Sequence, residues 1–334
     1  MLEREASHAG SWYSDHKATL SRQLDEWLSQ VPDTIEGVGS LPPPGSRAII
    51  APHAGYAYSG PAAAWAYKSL DLSKAKRIFL LGPSHHTYLP TCALSQCTHY
   101  STPLGPLPLD EPTITTLRST TKFDTMTLAT DEAEHSLEMH LPYIHKLLSA
   151  SFPPPASFPP LVPILVGSTS PAAEKDYGAI LAPYLADEAN VFVVSSDFCH
   201  WGSRFGYTFY LPSSNSDDPA SGFSLDRKTQ PERSMPIHES IGALDRLAMS
   251  AVESGDHDAF LACLRRTGNT VCGRHPIGIV MAALERLRDG EVAGEEEEGG
   301  GRQGRFKFVR YERSSECTKV NDSSVSYASA FAIL

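Results

Sequence analysis

The sequence predicts a single layered α/β domain with a central, mostly parallel or mixed sheet. Three observations carry that expectation. Apolar runs at 47–51, 77–81 and 191–194, the last largely β-branched, have the length and composition of buried strands. Strand and helix patterns alternate through most of the chain, without a convincing internal repeat, as layered α/β domains require. Each of the three runs also empties into polar residues: Pro52-His53-Ala54-Gly55-Tyr56, Gly82-Pro83-Ser84-His85-His86 and Ser195-Ser196-Asp197-Phe198-Cys199-His200. Residues just past a strand sit at its carboxyl end, where open α/β sheets place their sites.

In chain order, Leu20, Leu24, Trp27 and Leu28 recur at helical spacing and predict a first helix over about 16–30. His8, upstream of it, reads as a surface or capping histidine. The Gly- and Pro-rich segment 37–46 is a loop feeding the first strand. Pro61 reads as a first helical position followed by an alanine-rich helix over 62–70. Asp110-Glu111-Pro112 looks like the start of a short helix over 113–120. The stretch from Thr130 to Tyr143 is dense in His and Glu; as a helix it would put His135 and Glu138 on one face and turn His140 elsewhere. Five prolines between Phe152 and Pro160 mark an extended connection into a strand over 161–167. Helices are expected at 171–186, 236–254, 256–266 and 276–289, and closing strands at 305–311 and 324–333. Residues 211–235, without periodicity, and 290–304, which hold Glu295 to Glu298 among glycines, read as flexible insertions in one domain spanning 1–334.

Composition limits the partners. The chain is acidic, with a net charge of -11, and offers no basic stripe, which argues against nucleic acid and anionic membranes. No apolar run approaches a membrane span, and the charged start does not resemble a signal peptide. Six cysteines without dense spacing or a CxxC pair point to reduced thiols. The expected location is the cytoplasm, with the nucleus open to it.

A metal ion needs neutral imidazoles or anionic groups held by a rigid frame, and strand ends provide one. His53 and His85, each following a buried strand and a proline, are the leading candidates. His86, adjacent to His85, points away in an extended loop. Asp197 and His200 suit either metal ligation or a base with its orienting carboxylate. Cys272 stands just before a helix start, where the dipole and Arg274 would favour the thiolate, or else it is a buried structural thiol.

The set Pro52-His53-Ala54-Gly55-Tyr56, Gly82-Pro83-Ser84-His85-His86, Glu134 to Tyr143, Ser195 to Trp201 and Cys272 to Gly278 resembles the Memo family, the mediators of cell motility. The resemblance covers nearly the whole chain, and that family is similar in fold to class III extradiol ring-cleaving dioxygenases. It implies metal-facing positions at His53, His85 and Cys272, and His200 where the dioxygenases keep a base, with Asp197 beside it. His86, His135, Glu138 and His140 would then stand around the ligands. The dioxygenases bind iron(II) through two histidines and a carboxylate; a cysteine here is softer and oxidisable, which favours copper or thiolate-iron chemistry over ring cleavage. Expected cofactors are thus Fe(II) or copper, with zinc less favoured. Expected partners are O₂ or a small-molecule substrate, or a signalling-protein peptide, such as a phosphotyrosine segment, held in a non-enzymatic adaptor cleft.

Overall fold

The protein is described by a computed structural model covering residues 2–152, 155–212, 219–226, 228–291 and 303–334. Nine strands form the central sheet: β1 (Ser46–Ala51), β2 (Arg77–Pro83), β3 (Cys92–Leu94), β4 (Phe123–Thr125), β5 (Leu161–Val166), β6 (Asn190–Ser195), β7 (His200–Trp201), β8 (Phe306–Arg313) and β9 (Ser324–Ile333). Their order is β7-β9-β1-β6-β2-β5-β3-β4, with β8 on the other edge of β9. The middle four, β1, β6, β2 and β5, are mutually parallel. Antiparallel pairing of β9 with β1 and of β5 with β3 makes the sheet mixed.

The parallel core explains the sequence pattern of its strands. With both faces covered, Ile49, Ile50, Phe79, Leu80, Phe192 and Val193 are all completely buried, and Phe79 stacks on Phe192 across neighbouring strands at 4.6 Å. Helices flank the sheet: α1 (Lys17–Gln30), α2 (Tyr56–Lys68), α3 (Glu111–Ser119), α4 (Leu128–Ala133), α5 (His135–Glu138), α6 (Leu141–Ser151), α7 (Pro171–Ala186), α8 (Ile237–Glu253), α9 (His257–Thr267) and α10 (Arg274–Glu291). The carboxyl ends of β1, β2 and β6 share one rim, so His53, His85 and Asp197 leave the sheet on the same side. No helix among the described residues is long and apolar enough to cross a membrane.

Two expected elements differ. The second helix begins at Tyr56, so Pro61 lies inside it rather than at its first position. The ring leaves the Ala57 carbonyl without its helical donor, and Ala57 is exposed, so water can serve it. The His- and Glu-rich stretch is three short helices instead of one: Glu134 takes an extended backbone (φ -86, ψ 122) between α4 and α5, and Met139 and His140 separate α5 from α6.

The stretch 211–235 is fastened where it is described. Phe209–Tyr210 pairs with Phe223–Ser224, Tyr210 donates to the Met235 carbonyl at 2.7 Å, and Leu225 is buried in an apolar cluster with Trp201 and Ile237. Most of the Glu-Gly run, 292–302, lies outside the described residues, as do 213–218 and 227.

Candidate metal centre

The centre begins with three loops that leave the parallel strands. Past β1, Pro52 turns the chain so that His53 lies beneath the rim, 2% exposed. Its Nδ1 is 2.6 Å from Ser195 Oγ, and Ser195 donates its single hydroxyl proton to the Ser136 carbonyl at 2.7 Å. Ser195 must therefore accept from His53, which fixes the proton on Nδ1 and leaves a lone pair on Nε2. Past β2, His85 donates from its backbone N–H and from Nδ1 to the two oxygens of Glu134, at 2.7 and 2.8 Å. A carboxylate accepts only, so His85 also presents a free Nε2. A carboxylate behind an imidazole is the arrangement that orients histidines toward metals.

His135 completes the group. Its ring stacks on His85 at 4.3 Å and meets His53 edge-on at 5.5 Å, and Trp12 packs on it at 4.4 Å. One ring nitrogen from each of His53, His85 and His135 lies within 4.8 Å of the others, close enough for one ion. The buried Nδ1 of His135 has no hydrogen-bond partner. Cys272 enters from the loop before α10, with Sγ 3.1 Å from His53 Nε2 and accepting from the Asp197 backbone N–H at 3.2 Å.

Two glycines permit this approach. A Cβ on Gly82 would lie 2.6 Å from Ser136 Oγ, so its absence lets α5 settle against β2. A Cβ on Gly273 would collide with the Ser196 side chain and the Ser195 carbonyl, so only glycine lets the Cys272 loop lie on the end of β6.

Electrostatics favour the neutral form of His53 and His135, the form that ligates. Burial pushes His53 well below its usual value, and the neighbouring histidines push it further. Burial, then His85, lowers His135 to about 3. Glu134 is the counterpart: burial alone would raise it, but the bonds from His85 and the Ser136 N–H hold it down to about 2. In Cys272, burial raises the thiol well above the usual range, followed by the nearby Asp197 charge. Arg274 is not among the groups acting on it, in contrast to the sequence expectation.

The residues expected as catalytic have separate partners. Asp197, 2% exposed, accepts the His53 backbone N–H at 2.9 Å, and burial raises it to about 7. No hydrogen bond joins it to His200, because β7 leads His200 away to pair with β9. His200 is anchored by its backbone N–H to Thr270 Oγ1 at 2.8 Å, its ring lies edge-on to Phe205, and its buried Nε2 has no partner. Burial, then the charges of His85 and Arg204, lowers it to about 4.

Of the surrounding residues, His86 is exposed, 5.7 Å from the His135 ring. His140 is wholly buried, with Nδ1 2.7 Å from the Tyr67 hydroxyl. Glu138 is a support for other groups: Tyr13 donates to it at 2.8 Å, Arg4 pairs with it at 2.8 Å, and His8 Nδ1 lies 2.8 Å away. His8 is thus no surface histidine but part of the same wall. Sequence reading passed over Glu134, Ser195 and Arg4; the Glu134 signal was its place two residues before Ser136, the spacing of a helix cap.

Known proteins resemble the chain along nearly its whole length. A family model described as Memo-like protein matches residues 4–331. Protein MEMO1 of Homo sapiens is 44% identical over 325 residues, 97% of this chain and 95% of its own length. Protein MEMO1 of Danio rerio is 42% identical over 334 residues, 100% of this chain and 98% of its own. A MEMO1 family protein of Schizosaccharomyces pombe is 41% identical over 332 residues, 98% of each chain. Among solved structures, an uncharacterised protein from Escherichia coli K12 aligns at a TM-score of 0.38 and 13% identity, over 85% of this chain and 99% of that one, which is too distant to bear on the site. On the family model and these near full-length relatives, the chain belongs to the Memo-like family.

Proposed function

We propose that this Memo-family protein binds one redox-active transition ion, iron(II) or copper, through His53, His85 and Cys272, with His135 as a further donor. The observation that carries this reading is the convergence of three imidazoles within 4.8 Å, with the Cys272 sulfur 3.1 Å from one of them. Donor chemistry supports it, since the bonds to Ser195 and Glu134 direct lone pairs, not protons, into the centre. A thiolate with imidazoles suits copper(I) or thiolate-bound iron better than the carboxylate set of ring-cleaving enzymes. Such an ion, when bound, supplies one-electron chemistry and an open position for O₂ or a small substrate. His200 holds an unbonded, buried Nε2 within electrostatic reach of His53 and His85, a position suited to accepting or returning a proton. Asp197 fixes the His53 loop through its backbone. This chemistry would serve signalling linked to cell motility, as the family resemblance implies.

A second reading, an adaptor cleft for an acidic or phosphorylated peptide, is favoured by Tyr58 and Tyr88, 61% and 80% exposed, and by the exposed Arg204. The two separate cleanly. Protein purified reduced, anaerobically and without an affinity tag should contain iron or copper near one equivalent and lose it on aerobic handling. Full, air-stable zinc occupancy would contradict a redox role, and peptide binding that survives both chelation and His53→Ala would establish the adaptor.

A further inference from the structure

Aromatic rings lead away from the centre. The Trp12 indole packs on the His135 ring at 4.4 Å while remaining 36% exposed. Trp12 is joined to Tyr13 by the chain itself, and to Tyr56 by a hydrogen bond from the Tyr56 N–H to its carbonyl at 2.9 Å. Tyr13 lies 5.4 Å from Tyr56, Tyr56 lies 5.7 Å from Tyr143, and Tyr143 stacks on Tyr67 at 4.6 Å, 2° from parallel. Each separation falls within the roughly 4.5–7 Å at which aromatic pairs are in contact. None of the four tyrosines is more than 5% exposed, so the ladder runs through the core.

The four hydroxyls are not equivalent, and the difference is chemical. Loss of one electron makes a phenol O–H strongly acidic, so a tyrosine keeps a radical only where a base can take that proton. Tyr56 and Tyr143 donate to the Met139 and Gly60 carbonyls, each at 2.7 Å, and a peptide oxygen is no base. Tyr13 instead donates to Glu138 at 2.8 Å. Burial would raise that carboxyl, but His8 and Arg4 hold it down to about 2, so it stands ionised. The Tyr67 hydroxyl meets His140 Nδ1 at 2.7 Å, and the His140 carbonyl, at 3.5 Å, is the poorer acceptor, so the phenol donates to the imidazole. Burial lowers His140 to about 3 and keeps the ring neutral, yet its conjugate acid is still far weaker than an oxidised phenol. The ladder therefore has a proton acceptor at each end and only carbonyls between.

We propose that Trp12 and the tyrosines Tyr13, Tyr56, Tyr143 and Tyr67 form a one-electron relay for the reduction of a peroxide at the centre, the radical resting on Tyr13 or Tyr67. The inference rests on the metal-binding reading above. Cleaving the O–O bond of hydrogen peroxide to two waters takes two electrons and two protons. One electron comes from the ion, iron(II) going to iron(III) or copper(I) to copper(II). Trp12, in contact with His135, passes on the second from a tyrosine, whose phenol proton moves to Glu138 or His140, and solvent supplies the two protons of the waters. A thiol or an ascorbate-like reductant then returns an electron to the tyrosyl oxygen, which takes its proton back, and a second electron restores the ion. Without the relay the second electron would be drawn from the imidazoles or from the Cys272 sulfur.

The test loads reduced full-length protein anaerobically with iron(II), mixes it with one equivalent of hydrogen peroxide, and reads the freeze-quenched sample by electron paramagnetic resonance. A tyrosyl signal should appear, should narrow when the tyrosines are ring-deuterated, and should be absent from metal-free and zinc-loaded protein. Tyr13→Phe/Tyr67→Phe keeps both rings in place and removes both phenol protons, so iron(II) affinity should stay at the wild-type level while the tyrosyl signal is lost. The oxidation should then fall on the centre, and peptide mass spectra should show more 2-oxohistidine at His53, His85 and His135 and more sulfinic or sulfonic acid at Cys272. Trp12→Phe, at a partly exposed ring, leaves every tyrosine in place and should shift the balance in the same direction. Wild-type protein that oxidises its iron without a tyrosyl signal would overturn the relay and leave metal binding standing. So would a double variant with the wild-type signal and wild-type damage at the ligands. Wild-type protein that takes up neither iron nor copper would instead overturn the metal-binding reading, and the relay would fall with it.

Discussion

Glu134 shows how much of the site depends on one side chain. Its two oxygens accept the backbone and ring N–H groups of His85, and one also accepts the Ser136 N–H at 2.9 Å that begins α5. One carboxylate thus sets the tautomer of one donor and the position of the helix bearing another. Glu134→Gln keeps the volume but can present an N–H to His85 Nδ1, and should lower metal affinity about 10–100-fold; isothermal titration checks this, and unchanged affinity would show that His85 does not ligate. The places of His53 and His85 past buried strands and of Cys272 before a helix were legible in the sequence, because strand ends and a helix start locate a residue without knowledge of its neighbours, whereas the ligand set itself was implied by the family resemblance and is a proposal. Glu134 and Ser195 were not legible, because their role lies in hydrogen bonds across 49 and 142 residues of chain. His135 sat in a conspicuous stretch whose helical reading put it on one face with Glu138 without saying what that face met; in the structure the chain is extended at Glu134 and α5 begins at His135.

At the scale of elements, the centre requires α5 and the start of α10 to press on the sheet without intervening side chains. Gly273→Ala should therefore cost about 1–3 kcal/mol in stability by overpacking, and should weaken metal binding because Cys272 is the preceding residue; denaturant titration with and without metal measures both. A second fastening lies outside the centre. Glu174 of α7, fully buried, is 2.7 Å from both His257 Nε2 of α9 and His275 Nδ1 of α10. Burial alone would raise Glu174 and lower His257, but their mutual bond outweighs it, so Glu174 lies below its ordinary 4.5 and His257 above its ordinary 6.5. The glutamate contribution is complete above 4.5 and lost as pH falls through its depressed value; that of the histidine is complete below 6.5 and lost as pH rises through its elevated value. Glu174→Gln should cost about 3 kcal/mol between those limits, with the difference from wild type shrinking toward both acid and alkaline pH. A pH-independent difference would mean that the pair is not ionised. The sequence placed these three helices closely, but nothing local to any of them announced an ion pair spanning 83 and 101 residues.

For the whole molecule, the parallel core decides where chemistry can occur. β1, β6 and β2 are adjacent and parallel, so their carboxyl ends deliver His53, Asp197 and His85 to one rim, and the loop before α10 brings Cys272 over the top. That convergence was readable from three apolar runs each ending in polar residues, and a mixed sheet was within the expectation; which strands run antiparallel was not readable, since pairing direction is set by long-range neighbours rather than strand composition. The central claim is that Cys272 belongs to the metal centre rather than packing behind it. Anaerobic titration of iron(II) and copper(I) into the reduced wild type and Cys272→Ser tests this directly. The account predicts clearly weaker binding of both ions by the serine variant, because a neutral hydroxyl cannot replace an anionic sulfur ligand. Equal affinities for both metals, with only a modest loss of stability, would contradict it.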